Sequence, residues 1–135
     1  LAYLGDMFPL PFQGYVATNQ KLAENPSQVK RWLRAMTRSL LFIRERPEDA
    51  ADIALRRLRI RNLTKPMLTE AIRSYVRAFP QGIPGVPSPE GVKNILELEL
   101  RIPLKLDKPL AAENFFELRW AEEVRKEIET KGTNP

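Results

Sequence analysis

Asn25-Pro26-Ser27-Gln28-Val29-Lys30-Arg31-Trp32-Leu33-Arg34-Ala35-Met36-Thr37-Arg38-Ser39-Leu40-Leu41-Phe42-Ile43-Arg44-Glu45 is the longest helix-competent run in the chain, and the other segments arrange themselves around it. Asn25 is an N-cap residue able to accept from free backbone N–H groups. Pro26 suits the first helical position, and Gln28 stands where a side chain can reach back to the cap. Val29, Trp32, Leu33, Met36, Leu40 and Ile43 fall within an arc of about 100° on a helical wheel. Lys30, Arg31, Arg34, Arg38 and Glu45 fall opposite. Leu41 and Phe42 lie off the apolar stripe, which predicts cover on more than one side toward the helix's C-terminal end.

Upstream, Leu1–Asn19 is the one region with strand character. Phe8-Pro9-Leu10-Pro11-Phe12-Gln13-Gly14-Tyr15-Val16-Ala17-Thr18 is apolar and β-prone, but its prolines cannot donate to a ladder. An extended approach followed by a short strand over Gln13–Thr18 is predicted, with no partner strand anywhere later in the chain. A helical turn at Lys21–Glu24 leads into the Asn25 cap.

Downstream, Pro47-Glu48-Asp49 opens a second helix, its acids complementing the positive end of the dipole. Ala51, Ala54, Leu55 and Leu58 form its stripe with Ile53 beside it, and Arg56, Arg57, Arg59 and Arg61 crowd its end. A third helix is expected from Pro66 to Phe79, with Leu68, Ile72, Tyr75, Val76 and Phe79 inward, stopped by Pro80. Gln81–Ser88, rich in glycine and proline, reads as a loop. Ser88-Pro89-Glu90 restarts a helix whose buried side is Val92, Ile95 and Leu96 with Leu98 or Leu100. Pro103 ends it. Ile102–Leu110 reads as a second extended piece and Ala111–Phe116 as a short turn. A last helix runs over Glu117–Glu129 with Leu118, Ala121, Val124 and Ile128 inward, and the tail from Thr130 is expected to fray.

The 135 residues suffice for one domain with a real core. Apolar content of 43% and charged content of 29% are those of an ordinary globular chain. No apolar run approaches the length of a membrane span. No leader is legible, and a chain opening on Leu1-Ala2-Tyr3 carries no information on location. The absence of cysteine and histidine excludes thiol nucleophiles, disulfides, Cys/His zinc sites and histidine acid–base chemistry. A net charge of +5 is modest for this length.

Four features invite a functional reading. Lys30, Arg31, Arg34 and Arg38, extended by the Arg56–Arg61 cluster, would suit a phosphate backbone. Acids at Glu45, Glu48, Asp49 and Asp52 lie close by, however, and no aromatic is interleaved. Glu97, Glu99, Glu113, Glu117, Glu122 and Glu123 could pair for hydrolysis, but they alternate with cations on helix exteriors. The Gln81–Pro87 loop lacks the spacing and the Lys-Ser/Thr ending of a phosphate cradle, so it reads as a connector. Phe8–Tyr15 places rings and Gln13 on a proline-stiffened segment. Either Phe8 and Phe12 are core, or the segment lines a ligand cleft.

Leu4-Gly5-Asp6, Pro9-Leu10-Pro11-Phe12-Gln13-Gly14, Asn25-Pro26 with Arg34-Ala35, Phe42-Ile43-Arg44-Glu45 with Pro47-Glu48-Asp49-Ala50, and Ser88-Pro89-Glu90-Gly91 occur in this order. Together they resemble the C-terminal part of periplasmic substrate-binding proteins of the nitrate/sulfonate/taurine and thiamine-precursor ABC transporter type, over roughly Leu4 to Ile128. The resemblance implies a mainly α fragment of a two-lobe α/β (type II) fold, five to six helices with an N-terminal extended crossover strand. Residues 1–24 would be the crossover segment and lead-in turn, residues 25–130 the helical part completing the first lobe, and residues 131–135 a frayed tail.

On that comparison the chain belongs to an extracytoplasmic solute-binding component that works by cleft closure. Its implied partners are a small-molecule solute and an ABC permease. Its implied location is periplasmic, with a membrane anchor an option in the parent. No enzymatic activity, cofactor or metal is expected. Phe8, Phe12 and Gln13 are the ligand-binding candidates near a cleft. Helix faces that normally clad a sheet would be exposed, which predicts a homo-oligomer. The competing expectation is a self-contained helical interaction module, binding nucleic acid through the basic ridge.

Overall fold

A computed structural model describes residues 7–11, 13–58 and 61–131. Phe12, Arg59 and the Leu4-Gly5-Asp6 element of the resemblance lie outside these described residues, as does the tail beyond Lys131. The described chain is mainly helical, as the sequence predicts: α1 (Asn19–Glu24), α2 (Pro26–Glu45), α3 (Pro47–Arg57), α4 (Lys65–Val76), α5 (Pro89–Ile95) and α6 (Arg119–Lys131). A π-helical segment, Leu96–Arg101, continues α5, and a 3₁₀ turn, Ala112–Asn114, precedes α6. No strand occurs among the described residues. The predicted strand over Gln13–Thr18 enters no ladder among the described residues, none of which forms a second strand to take its hydrogen bonds, and its residues are exposed.

Local chemistry accounts for the helix boundaries. Thr18 Oγ1 accepts from the Lys21 N–H at 3.1 Å to start α1, and Ser88 Oγ accepts from the Gly91 N–H at 3.0 Å to start α5. Asn25 behaves differently from its expected role. Its backbone closes α1 by donating to the Lys21 carbonyl at 3.1 Å, and its own carbonyl opens α2 by accepting from Gln28 and Val29. At φ −132° and ψ 48° its side chain makes no cap bond. Gln28 does not reach back to it, and accepts instead from Lys21 Nζ. Arg46 alone separates α2 from α3, so two proline-started helices follow one another through one-residue joints.

The core sits where α6 crosses α2. Leu41, Val124 and Ile128 are buried, with Leu33 and Ile83 packed against them. Thr37, also buried, lies between Leu33 and Leu41 on the same line of α2. That line is turned about 90° from the centre of the predicted apolar stripe. Trp32 on the stripe is 41% exposed, while Val29, Met36, Leu40 and Ile43 are only half-buried. The off-stripe Leu41, at 2%, is the most buried apolar side chain of the helix.

Ala50 and Ala51 bury α3, against which α4 packs. Asp52 of α3 pairs with Lys65 at 2.6 Å, and Glu48 pairs with Arg73. α4 ends at Val76, three residues before the predicted stop. Tyr75 is exposed, not core, and makes an edge-to-face contact with Phe79 at 5.1 Å. The Gln81–Pro87 loop is more than a connector. Pro84 is fully buried, Ile83 joins the core, and the Gly82 carbonyl accepts from Arg44. Ile102–Leu106 is not extended either. It is a series of turns in which the Leu104 and Leu106 N–H groups return to the Leu100 and Arg101 carbonyls at 3.0 Å.

Candidate functional site

Three open clefts stand out among the described residues, and the one richest in rings lies at the N-terminal end of α2. The extended stretch brings Tyr15 across this end of the helix, where its ring meets Trp32 edge-to-face. The centroids are 4.4 Å apart and the planes stand at 82°. The turn before α6 supplies Phe115 and Phe116 on the other side. Together they bound a groove of about 590 Å³. Tyr15 is 67% exposed and Phe115 51%, so these rings form walls and not core.

Besides Tyr15, the groove is lined by the polar side chains of Asn19, Lys21, Gln28, Glu113, Asn114 and Glu117. Lys21 is held by the Gln28 side-chain oxygen. Glu117 accepts from the Arg119 backbone N–H at 3.2 Å and faces its guanidinium at 3.4 Å. Glu113 lies exposed on the rim.

Of the residues singled out by sequence, Tyr15 reaches this groove, whereas Phe8 and Gln13 line none of the three clefts. Both are exposed, and Phe12 lies outside the described residues. The segment they flank docks elsewhere. The Pro9 carbonyl accepts from Asn94 Nδ2 at 3.1 Å, and the Pro11 ring lies so close to Gly91 that a Cβ there would approach it to 3.2 Å. The sequence reading placed Trp32 on a buried stripe and left the Phe115-Phe116 pair unassigned. Two adjacent rings flanked by Glu113 and Glu117 in a short turn were the available signal.

The basic ridge of α2 is in large part a helix–helix seam. Lys30 pairs with Glu123, and Arg34 pairs with Glu127 at 2.5 Å. Lys30 also lies over the Trp120 ring at 4.8 Å, with Arg119 over the same ring at 4.7 Å. An aromatic is therefore interleaved after all, contributed by α6. The glutamates do not converge. Glu97 is bound by Arg101, Glu117 by Arg119 and Glu123 by Lys30. The Arg101 hydrogen bond lowers the Glu97 pKa, and the Arg34 hydrogen bond lowers that of Glu127. Both shifts run away from those of a general acid.

Among the described residues, no group of three or more acidic, histidine or cysteine side chains could hold a metal ion, and no helix is long and apolar enough to cross a membrane. The second cleft, about 840 Å³ between α2 and α3, is lined by Phe42, Ile43, Ile53 and Leu58, with Arg38, Arg46 and Arg57 at its rim. Comparison of the chain with protein-family models, with curated proteins and with solved structures finds no match.

Proposed function

We propose that this chain is the helical portion that completes the first lobe of an extracytoplasmic solute-binding component of an ABC importer, one taking up nitrate, a sulfonate, taurine or a related small solute. In the parent protein the solute is captured by closure of two lobes about crossing strands, a hinge motion. It is then delivered to a membrane permease without chemical change.

The observation that carries the reading is the orientation of α2. Its most regular apolar stripe is centred about 90° from the line that meets the chain's own core and, apart from Leu33, is left half-exposed, as expected of a helix that clads a sheet supplied by other residues. The unpaired stretch Gln13–Thr18 adds to it, since a crossover strand finds its ladder in the same missing sheet. The order of sequence elements from Pro9 to Gly91 is the third support. Two of the four α2 ridge cations, Lys30 and Arg34, already face carboxylates, which counts against the nucleic-acid alternative.

The test is the reading frame upstream of Leu1. Strand–helix alternation preceded by an export leader is the expected content. A stop codon directly upstream, or an unrelated domain, removes the proposal.

A further inference from the structure

We propose that the turn at residues 102–108, which follows the π-helical segment, is a contact site for an anionic phospholipid surface. Every residue from 102 to 109 is exposed. Within this run Ile102, Leu104 and Leu106 are 53%, 62% and 37% exposed. One exposed leucine is ordinary, but large aliphatic side chains at three alternate positions of one turn form a patch.

The backbone of the turn is closed on itself. Ile102 donates to the Glu97 carbonyl at 2.9 Å, Leu104 to Leu100 at 3.0 Å, Lys105 to Ile102 at 3.1 Å and Leu106 to Arg101 at 3.0 Å. Pro103 has no N–H to satisfy, and the Leu106 carbonyl accepts from Arg101 Nη1 at 3.3 Å. No donor from Ile102 to Leu106 is therefore left open, which is the condition for a loop to enter the headgroup and acyl boundary. Lys105, at φ 53°, holds a left-handed conformation that is strained for a lysine. The strained residue is thus a cation set between two exposed leucines.

The charges fit a lipid surface. Lys105 and Lys108 form no ion pair or side-chain hydrogen bond among the described residues. Asp107, the one acid of the turn, lines the cleft of about 640 Å³ beside α5 together with Lys93 and Arg101, a cleft that neither Lys105 nor Lys108 lines. Lysine stems can lie along aliphatic surface while their ammonium groups meet lipid phosphates. Each such lysine contributes about fivefold in affinity for an anionic leaflet. A protein partner would call for aromatic or arginine anchors, and the turn has neither. The α2–α3 cleft carries less, because Ile43 on its wall belongs to the stripe already assigned to a sheet from elsewhere. The turn uses no residue of that stripe, so it does not rest on the upstream sequence.

The full chain is sedimented with vesicles of phosphatidylcholine and phosphatidylglycerol, and with vesicles of phosphatidylcholine alone. Binding to the anionic vesicles only, weakening as salt rises, is expected. Lys105→Asn, which tolerates the left-handed backbone, combined with Lys108→Gln should weaken it by roughly tenfold or more. Leu104→Gln should weaken it by roughly fivefold or more. Because the chain contains no cysteine, Leu104→Cys can carry a single polarity-sensitive dye. Its emission should shift to the blue on anionic vesicles, whereas the same dye at Ile53→Cys in the α2–α3 cleft should not respond. Undiminished binding by the lysine double variant or by Leu104→Gln, or a dye response at Ile53 as large as that at position 104, overturns the proposal. So does an absence of binding to anionic vesicles, which would leave the turn to a protein partner.

Discussion

Arg34 on α2 donates through Nε to Glu127 Oε2 at 3.1 Å, a bond that spans 93 positions of sequence and fixes α6 against the longest helix. Glu127 has its pKa lowered from the ordinary 4.5, first by this hydrogen bond and then by the nearby positive charges of Arg34, Lys131 and Lys30. Around and below that pH the folded state therefore binds fewer protons than the unfolded one. The stabilisation is complete above the ordinary carboxylate range and is lost as the pH falls through the lowered value. Glu97, held by Arg101, has the same sign. Denaturant unfolding followed from pH 7 to pH 3 should show falling stability at the acid end, and Glu127→Gln should flatten that limb. An unchanged acid limb in the variant would show that the pair contributes nothing.

The core is small, so single truncations within it should be severe. Ile128, 3% exposed, and Leu41, 2% exposed, face each other across the α2–α6 seam. Ile128→Ala or Leu41→Ala should each cost about 2–5 kcal/mol, a large part of the stability of a chain this size. Ile53→Ala, at a position 45% exposed, should cost less than about 1 kcal/mol. Equal denaturation midpoints for Ile128→Ala and Ile53→Ala would place the core elsewhere.

Ile53 and Leu58, 45% and 47% exposed, leave apolar surface open on the α2–α3 cleft, and large exposed apolar patches favour association. Self-association is the expected consequence for the isolated chain, with the α2–α3 cleft as the apolar surface involved. Light scattering should report a dimer or larger species, and Ile53→Lys combined with Leu58→Glu should shift it toward monomer. A monomeric mass for the unaltered chain at high concentration would contradict this.

Duplex DNA provides a test of the basic ridge. Each phosphate contact contributes about 0.9 to the slope of log affinity against log salt. Because Lys30 and Arg34 already face carboxylates, binding should be weak and the slope shallow. A slope steep enough for six or more phosphate contacts would favour the interaction-module alternative.

Gly85 and Gly82 both have positive φ, at 111° and 79°, but their surroundings differ. A Cβ on Gly85 would meet Thr37 Oγ1 at 3.3 Å, whereas one on Gly82 would meet nothing within 4 Å. Both alanine substitutions should destabilise the fold by about 1 kcal/mol or more from backbone strain, with the Gly85 variant the worse of the two in thermal melting. The reverse order would mean that the loop does not rest on α2 as described.

Helix positions were legible in the sequence wherever the signal was local. Ser88-Pro89 and Pro47-Glu48-Asp49 announce their helices within four residues, and both start where expected. What faced what was less legible. The apolar stripe of α2 was real, but α6 covers the Leu33–Thr37–Leu41 line beside it. The partners that make Lys30 and Arg34 suitable for that seam lie on α6, far along the chain. The aromatic groove was legible only in part for the same reason. Tyr15, Trp32 and Phe115 come from three separate segments, and no spacing rule connects them. Tyr75, read as inward from its register, is exposed because α4 turns Thr69 and not its aromatic edge toward the core.

The one-residue joint at Arg46 limits how this chain could vary in length. An extra residue in this non-helical joint (φ −134°, ψ 59°) would re-aim α3, together with the α4 packed on it, relative to α2 and unseat Ala50 from the cleft it lines with Leu41 and Phe42. Insertions and deletions among sequences sharing this architecture should therefore avoid Arg46 and gather in the exposed turns around Leu104–Lys108, where added residues would displace no buried side chain.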